Sequence, residues 1–341
     1  MKYDQIAVLI PAYKPDERLL TLVDELREAG FTRIVAVDDG GGVPYRHLFD
    51  ALAGKADVLV HEVNRGKGAA LKTGLKHIHQ WPGVGVITAD ADGQHAPADV
   101  AKVADALLEN PDALILGSRD KKQMPPRSKT GNTLTCGLFA LLTGTYVSDT
   151  QTGLRGLPAC ALERFSNLEG DRYEYEINML IDATKAKLPI REITIQTIYI
   201  DNNSSSHFNA LKDGLRIYKL MFRQAGAYVL SSGVCAVLEY VLYLLLTYPL
   251  HMAAALCQLI VRLISSLVNY NLNSRLVFKA KPTRRSFLMY YALAAFVLGC
   301  SCLGIWLLTR WGVPKWLSKL LVDGLLYIVS YRVQRNRIFT E

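Results

Sequence analysis

Up to about Arg223 the apolar residues come in short runs separated by amphipathic segments, and beyond it they come in long ones. Residues 6–13 (IAVLIPAY) form a run interrupted by proline, the pattern of a buried strand, and leucines at 19, 22 and 26 follow at helical spacing. RIVAVDDGGG (33–42) repeats the run and ends in Asp38, Asp39 and Gly40. ADVLVHEV (56–63) is a third strand and closes on NRGKGAALKTG (64–74), whose glycines permit a tight turn into a helix. GVGVIT (83–88) is a fourth, followed by Asp90-Ala91-Asp92-Gly93-Gln94 and a helix from Pro97; ALILGSR (113–119) is a further strand ending at Arg119. Strands alternating with helices predict a mostly parallel, helix-covered sheet, an α/β fold of Rossmann-like type. Ligands of such sheets bind at the carboxyl ends of the strands, where 11–13, 38–39, 64–68 and 90–94 all fall, so four separated segments predict one pocket.

The middle of the chain is less regular. A basic loop (KKQMPPRSK, 121–129) precedes an apolar segment, 133–147, too short to span a bilayer; it is either a buried helix or a helix in the membrane interface. DTQTGLRGLP (149–158), a helical 170–187 and a strand at 192–200 follow. Phe208, Leu211, Leu215, Tyr218 and Phe222 then recur at steps of three and four beside Lys212, Arg216, Lys219 and Arg223, a basic amphipathic helix suited to an anionic membrane surface. Apolar stretches at 225–247, 250–271, 287–309 and 313–331 are each long enough to cross the hydrocarbon layer. The organisation expected is a domain at 1–206, an interfacial helix at 207–223 and an all-α four-helix membrane domain at 224–341. NYNLNSRLVF (269–278) resembles SYRVQRNRIF (330–339), which predicts two tandem hairpins of like orientation. That register sets Arg262 opposite Asp323, and Arg262 is expected to meet Asp323 or Glu239 inside the bundle.

Charge settles the orientation. Arg275, Lys279, Lys281, Arg284 and Arg285 lie between the second and third spans, and Arg332, Arg335 and Arg337 follow the fourth. The positive-inside rule puts both clusters, the first domain and both termini in the cytoplasm of a multi-pass plasma-membrane protein. The net charge of +8 also suits nucleic acid, but it sits largely beside the apolar stretches and no nucleic-acid motif accompanies it, so no nucleic-acid partner is expected. Six scattered cysteines form no framework spacing, as in a reducing compartment, and the N-terminus enters strand pattern directly, which predicts no signal peptide.

Two carboxylates two residues apart at a strand's end repel unless a cation lies between them. Asp90, Asp92 and the Gln94 amide therefore read as a site for Mg2+ or Mn2+ that anchors a diphosphate; a solvated turn capping the helix at Pro97 is the plainer alternative. NRGKGAALKTG lacks the Lys-Ser/Thr ending of a Walker loop, and its Lys67 either touches a donor or seeds the helix. Glu174 and Glu176 either contact substrate or open a solvated helix, and Asp149 either orients substrate or caps a turn.

Taken in order, LIPAYKPDERL, VDDGG, NRGKGAALKTG, DADGQH, GSR, DTQTGLRG and NNSSSHFN, followed by the four spans, resemble the polyprenol-phosphate glycosyltransferases of the second glycosyltransferase family, of the dolichol-phosphate mannose synthase type, fused to a GtrA-like membrane domain. The resemblance implies a GT-A fold, a nucleotide-sugar donor, a divalent metal and a polyprenyl phosphate acceptor. It implies nucleotide-sugar contacts from Pro11, Ala12, Tyr13, Asp38, Asp39, Lys67, Asp90, Ala91 and Asp92, and metal ligation by Asp90, Asp92 and Gln94. Catalytic roles fall to Asp92, Asp149 and Arg119, and phosphate or acceptor contacts to Arg119, Arg127, Arg155, Ser205, Ser206 and His207. Lys14 and Pro15 stand where the family often has Asn-Glu, and His207 where related enzymes often have lysine. The activity implied is inverting transfer of one hexose, UDP-glucose before GDP-mannose, to undecaprenyl phosphate, with homo-oligomerisation left open. The alternative is a lipid-linked-sugar binding or flipping protein whose front domain senses nucleotide sugar. A processive polysaccharide synthase is disfavoured, because the Gln-x-x-Arg-Trp string is missing.

Overall fold

The structure, a computed structural model, describes residues 2–120, 124–196, 198, 212–247, 254–278 and 280–339. Its residues divide into two compact units, Met1–Leu220 and Met221–Glu341.

The first unit is built on seven strands: β1 (Ile6–Ala12), β2 (Arg33–Asp38), β3 (Asp57–Val60), β4 (Gly85–Thr88), β5 (Leu114–Arg119), β6 (Arg155–Leu157) and β7 (Ile190–Ile195). They lie in the order β3-β2-β1-β4-β6-β5-β7, parallel except for β6, which runs antiparallel to both of its neighbours. In β1, Ile6 to Ile10 are all buried, as a strand covered by helices on both faces requires. The helices are α1 (Arg18–Glu28), α2 (Arg46–Asp50), α3 (Lys67–Ile78), α4 (Pro97–Glu109), α5 (Pro126–Thr143), α6 (Leu162–Ser166) and α7 (Glu174–Lys185). Leu19, Leu22, Val23 and Leu26 of α1 pack with Val100, Val103, Ala104 and Leu107 of α4 in one core cluster. The chain leaves β1 toward β2 and β3, then returns to the other side of β1 with β4. That reversal opens a crevice beyond the ends of β1 and β4, where doubly wound sheets take ligands.

Two sequence expectations change here. Of the apolar segment expected at 133–147, residues 133–143 are the C-terminal part of α5, which begins at Pro126 and buries Cys136, Phe139 and Leu142 while leaving Leu134 exposed, in line with the buried-helix alternative; residues 144–147 lie beyond the helix. DTQTGLRGLP contains a strand, β6, only three residues long and carrying a buried arginine, which no hydrophobic pattern announces.

The second unit contains α8 (Lys212–Thr247) from Met221 on, α9 (Ala254–Leu272), α10 (Arg284–Arg310) and α11 (Lys315–Val333). Of the expected interfacial helix, residues 207–211 fall outside the described residues, and residues 212–223 share α8 with the first expected span. Among the described residues, α10 is the one helix long and apolar enough to cross a membrane; Leu230–Leu246 is a shorter apolar stretch of α8. The side chain of Arg262 lies outside the described residues, and Asp323 accepts a hydrogen bond from Ser301 Oγ at 2.8 Å.

The two similar decapeptides occupy equivalent places. Both α9 and α11 widen into a π-helical turn, at Asn273–Val277 and Gln334–Ile338, closed by Phe278 N to Asn273 O and Phe339 N to Gln334 O, each 2.8 Å. Asn273 and Gln334, which match in the repeat, bond to each other: Asn273 Nδ2 donates to Gln334 Oε1 at 3.0 Å. The rings repeat the relation, with Tyr270 at 5.7 Å from Phe339 and Phe278 at 5.8 Å from Tyr331. Reciprocal contacts of this kind define a local two-fold axis, as in an isologous dimer interface. Ser231 Oγ donates to Asn273 Oδ1 at 2.6 Å, and Gln334 Nε2 donates to Tyr228 Oη at 3.0 Å, completing a buried polar knot. Asn273→Ala is expected to cost about 1–3 kcal/mol by leaving Gln334 and Ser231 short of a partner. Thermal unfolding of the full chain in detergent checks this; an unchanged midpoint contradicts it.

Candidate active site

The crevice at the strand ends is a cleft of about 580 Å³. β1 brings Pro11, Ala12 and Tyr13 to its wall, and the next residue, Lys14, holds a left-handed backbone (φ 51), unusual for a side chain of its kind. β2 ends in Asp38 and Asp39, both buried. Asp38 Oδ1 accepts from Gly41 N at 2.8 Å and tightens the turn. Asp39 lines the cleft but works inward: its carboxylate accepts from Arg65 N at 2.9 Å and Gly66 N at 2.7 Å and meets His61 Nδ1 at 2.7 Å. It clasps the loop that delivers Lys67. Gly40 is required beside it, since a Cβ there would lie 2.3 Å from the Val63 carbonyl carbon.

The glycines of NRGKGAALKTG make room for close packing. A Cβ on Gly66 would meet the Asp171 carbonyl oxygen at 2.4 Å, on Gly68 the Tyr175 Cβ at 2.6 Å, and on Gly74 the Leu9 side chain at 2.1 Å. The start of α3 is thereby pressed against the segment that opens α7. Lys67 then projects into the cleft, with Nζ 2.7 Å from Asp90 Oδ1 and 3.1 Å from Glu176 Oε1. Burial alone would lower its pKa, but the two carboxylates outweigh burial and hold it above the usual lysine range.

β4 delivers Asp90, Ala91 and Asp92 to the opposite wall. Burial opposes the charge on Asp90, yet Lys67 and the neighbouring His95, whose Nε2 is 3.6 Å away, keep its pKa well below the carboxylate range. Asp92 shifts the other way, pushed up by burial and by the charge of Asp90; its Oδ1 accepts from Gln94 N at 3.0 Å. Two oxygen-donor side chains, one of them short of positive charge, fit a hard divalent ion that takes its remaining ligands from phosphate and water. Among the described residues no group of three or more His, Cys, Asp or Glu side chains is arranged to hold an ion.

The remaining expected residues part company. Arg119 and Asp149 form a bidentate pair, Nε to Oδ2 at 2.6 Å and Nη2 to Oδ1 at 3.0 Å, and the arginine holds the buried carboxyl below its ordinary pKa against the effect of burial. Arg155, expected to hold phosphate, is only 1% exposed. Its guanidinium donates to the carbonyls of Thr152 at 2.9 Å, Glu176 at 2.6 Å and Thr150 at 3.2 Å, tying the 150–152 loop to α7. The structure thus gives it a supporting place behind the cleft. The Gln94 carbonyl accepts from Ile198 N at 3.3 Å. Ser205, Ser206, His207 and the Arg127 side chain lie outside the described residues.

Asp16, Arg18, Arg172 and Tyr173 also line the cleft, and Glu176 grips Lys67 from behind. Glu176 carried a sequence signal as one of two acids at a helix start, and Asp16 and Arg18 fall within LIPAYKPDERL. Arg172 and Tyr173 reach the cleft through close backbone packing at Gly66 and Gly68, which leaves no periodic trace.

Residues 7–169 match the family described as Glycosyl transferase family 2, and residues 227–339 match GtrA/DPMS, transmembrane domain. The chain is 33% identical over 242 residues to the UDP-N-acetylglucosamine--dolichyl-phosphate N-acetylglucosaminyltransferase of Methanococcus voltae, covering 65% of this chain and 96% of the relative. It is 29% identical over 226 residues to the dolichyl-phosphate beta-glucosyltransferase of Homo sapiens, covering 58% and 69%. A solved structure, glucosyl-3-phosphoglycerate synthase from Mycobacterium tuberculosis with Mn2+, UDP-glucose and phosphoglyceric acid, aligns with a TM-score of 0.48 at 22% identity over 65% of this chain and 77% of that one.

Proposed function

Because the chain belongs to the family 2 glycosyltransferases and carries a GtrA/DPMS transmembrane domain, we propose that it moves a single hexose from a nucleotide sugar to a polyprenyl phosphate, inverting the anomeric carbon. The carrying observation is the cleft of about 580 Å³ at the β1/β4 switch, lined by Asp90, Asp92, Arg18 and Lys67, with Lys67 paired to Asp90. The relatives named above, one using UDP-N-acetylglucosamine and one transferring glucose, support a UDP-linked sugar of the glucose series, with UDP-glucose first.

A phosphate acceptor is already an anionic oxygen nucleophile near neutral pH, so no strong base is needed to create one. The acceptor oxygen forms a bond to the anomeric carbon as the bond to the donor diphosphate breaks. The work left to the protein is to bring anions together and hold them in line. A bound Mg2+ or Mn2+ would neutralise charge on the leaving diphosphate, with Asp90, Asp92 and Gln94 as the residues to hold it. Pro11, Ala12, Tyr13 and the loop clasped by Asp39 shape the nucleoside end of the cleft. Asp149 positions Arg119 by occupying two of its donors, and Arg119 and Arg127 supply fixed positive charge for phosphate oxygens. Ser205, Ser206 and His207 belong to the segment assigned to close over the donor.

The membrane domain accounts for an acceptor whose isoprenoid tail stays in the bilayer. The arginines and lysines of 275–285 and 332–337 support a four-span protein with the catalytic domain and both termini on the cytoplasmic face. The test is transfer of labelled sugar from UDP-glucose, UDP-N-acetylglucosamine, UDP-galactose and GDP-mannose to undecaprenyl phosphate, with Mn2+ or EDTA. One EDTA-sensitive glycolipid, from a UDP-sugar, is expected; no product from any donor by folded protein that binds the lipid contradicts the proposal.

A further inference from the structure

Resting on the reading that Asp90 and Asp92 receive a divalent ion, we propose that Lys67 is an internal cation that occupies Asp90 until nucleotide arrives, so that ion binding depends on nucleotide binding. Asp90 has both oxygens turned toward protein. Oδ1 is 2.7 Å from Lys67 Nζ, and Oδ2 lies over Gly153, where a Cβ would come within 2.2 Å of it, and 3.6 Å from His95 Nε2. Lys67 has a second anchor in Glu176, 3.1 Å away and itself nearly buried. Glu176 is fixed in turn, because its backbone carbonyl accepts from Arg155.

The backbone of Lys67 has no room to shift. Gly66 and Gly68 are packed against Asp171 and Tyr175, and Ala69 N donates to the Asp171 carbonyl at 3.0 Å. Any change at this site must therefore come from the flexible four-carbon stem of the lysine, whose ammonium is a compact point charge. An ion approaching Asp90 by itself meets that ammonium at close range and is repelled. A nucleotide diphosphate brings anionic oxygens into the same cleft, to which Nζ can swing, and Asp90 then becomes available to the ion. Ion and nucleotide are thereby coupled through one side chain, and the coupling must be reciprocal.

The experiment is Mn2+ binding by electron paramagnetic resonance to the purified full chain in detergent, alone and with saturating UDP or GDP, for wild type, Lys67→Met, Lys67→Gln and Asp92→Asn. Wild type is expected to bind Mn2+ about ten-fold or more tightly with one of the nucleotides than alone, within the usual range of coupling factors. Either lysine variant is expected to bind Mn2+ alone about five-fold or more tightly than wild type, with the nucleotide enhancement correspondingly smaller. Equal wild-type affinity with and without nucleotide overturns the proposal, and that measurement needs no variant. Lysine variants that fold and bind Mn2+ alone no better than wild type overturn it as well. Asp92→Asn binding Mn2+ and nucleotide as wild type does, or wild type binding no Mn2+ in either condition, rejects the ion site itself.

Discussion

Asp92→Asn is expected to lower sugar transfer by about 10³-fold, the scale seen when a group that stabilises developing charge is removed. The melting temperature is expected to stay the same or rise. The Asp92 carboxyl is held above its ordinary pKa by burial and by the charge of Asp90. A group whose folded pKa is raised destabilises the folded state wherever it is ionised, which for Asp92 means above that raised pKa. Asparagine removes the repulsion while keeping an oxygen to accept from Gln94 N, now at 3.0 Å. Activity lost with stability retained assigns Asp92 to the chemistry. Activity and stability lost together would reduce it to the cap of a turn. Turnover and thermal unfolding, measured on the same preparations, separate the two.

Arg155→Met carries the second large effect, and it falls on folding. The guanidinium is 1% exposed and its donors serve three carbonyls on two separate segments. Methionine fills much of the volume but donates nothing, so Thr150, Thr152 and Glu176 are left with buried acceptors. The expected loss is about 3 kcal/mol or more, since each buried carbonyl left without a donor costs about 1–3 kcal/mol. Chemical denaturation of the isolated variant in detergent gives the number. A variant as stable as wild type, with a raised KM for polyprenyl phosphate, would instead return Arg155 to the acceptor site.

The sequence made the sheet legible where strands are long and apolar. β1 and β2 each announce themselves, and the carboxyl-end rule then gathers Tyr13, Asp39, Lys67 and Asp92 from the sequence alone. Asn273 and Gln334 were also legible as matched members of a repeat, though not as hydrogen-bond partners. What stayed hidden depends on contacts between distant segments. Arg155 reads like a ligand-binding arginine because its role lies in the carbonyls of Thr150, Thr152 and Glu176, and no local pattern reports where those carbonyls point. β6 hides for the same reason, being a three-residue strand with a buried charge held in an antiparallel slot. The Lys67–Glu176 contact arises because Gly66 and Gly68 let two backbones touch, and a glycine's packing partner leaves no trace in the sequence.

Donor labelled separately in its sugar and in the β-phosphate of its nucleotide, given to the purified chain with polyprenyl phosphate and Mn2+, tests the central claim most directly. Hexosyl transfer predicts that the sugar label enters the lipid phase while the phosphate label remains in water as nucleoside diphosphate. Both labels in the lipid phase would mean phosphosugar transfer, and both remaining in water, with lipid and nucleotide bound, would mean that the cleft senses its ligands without joining them.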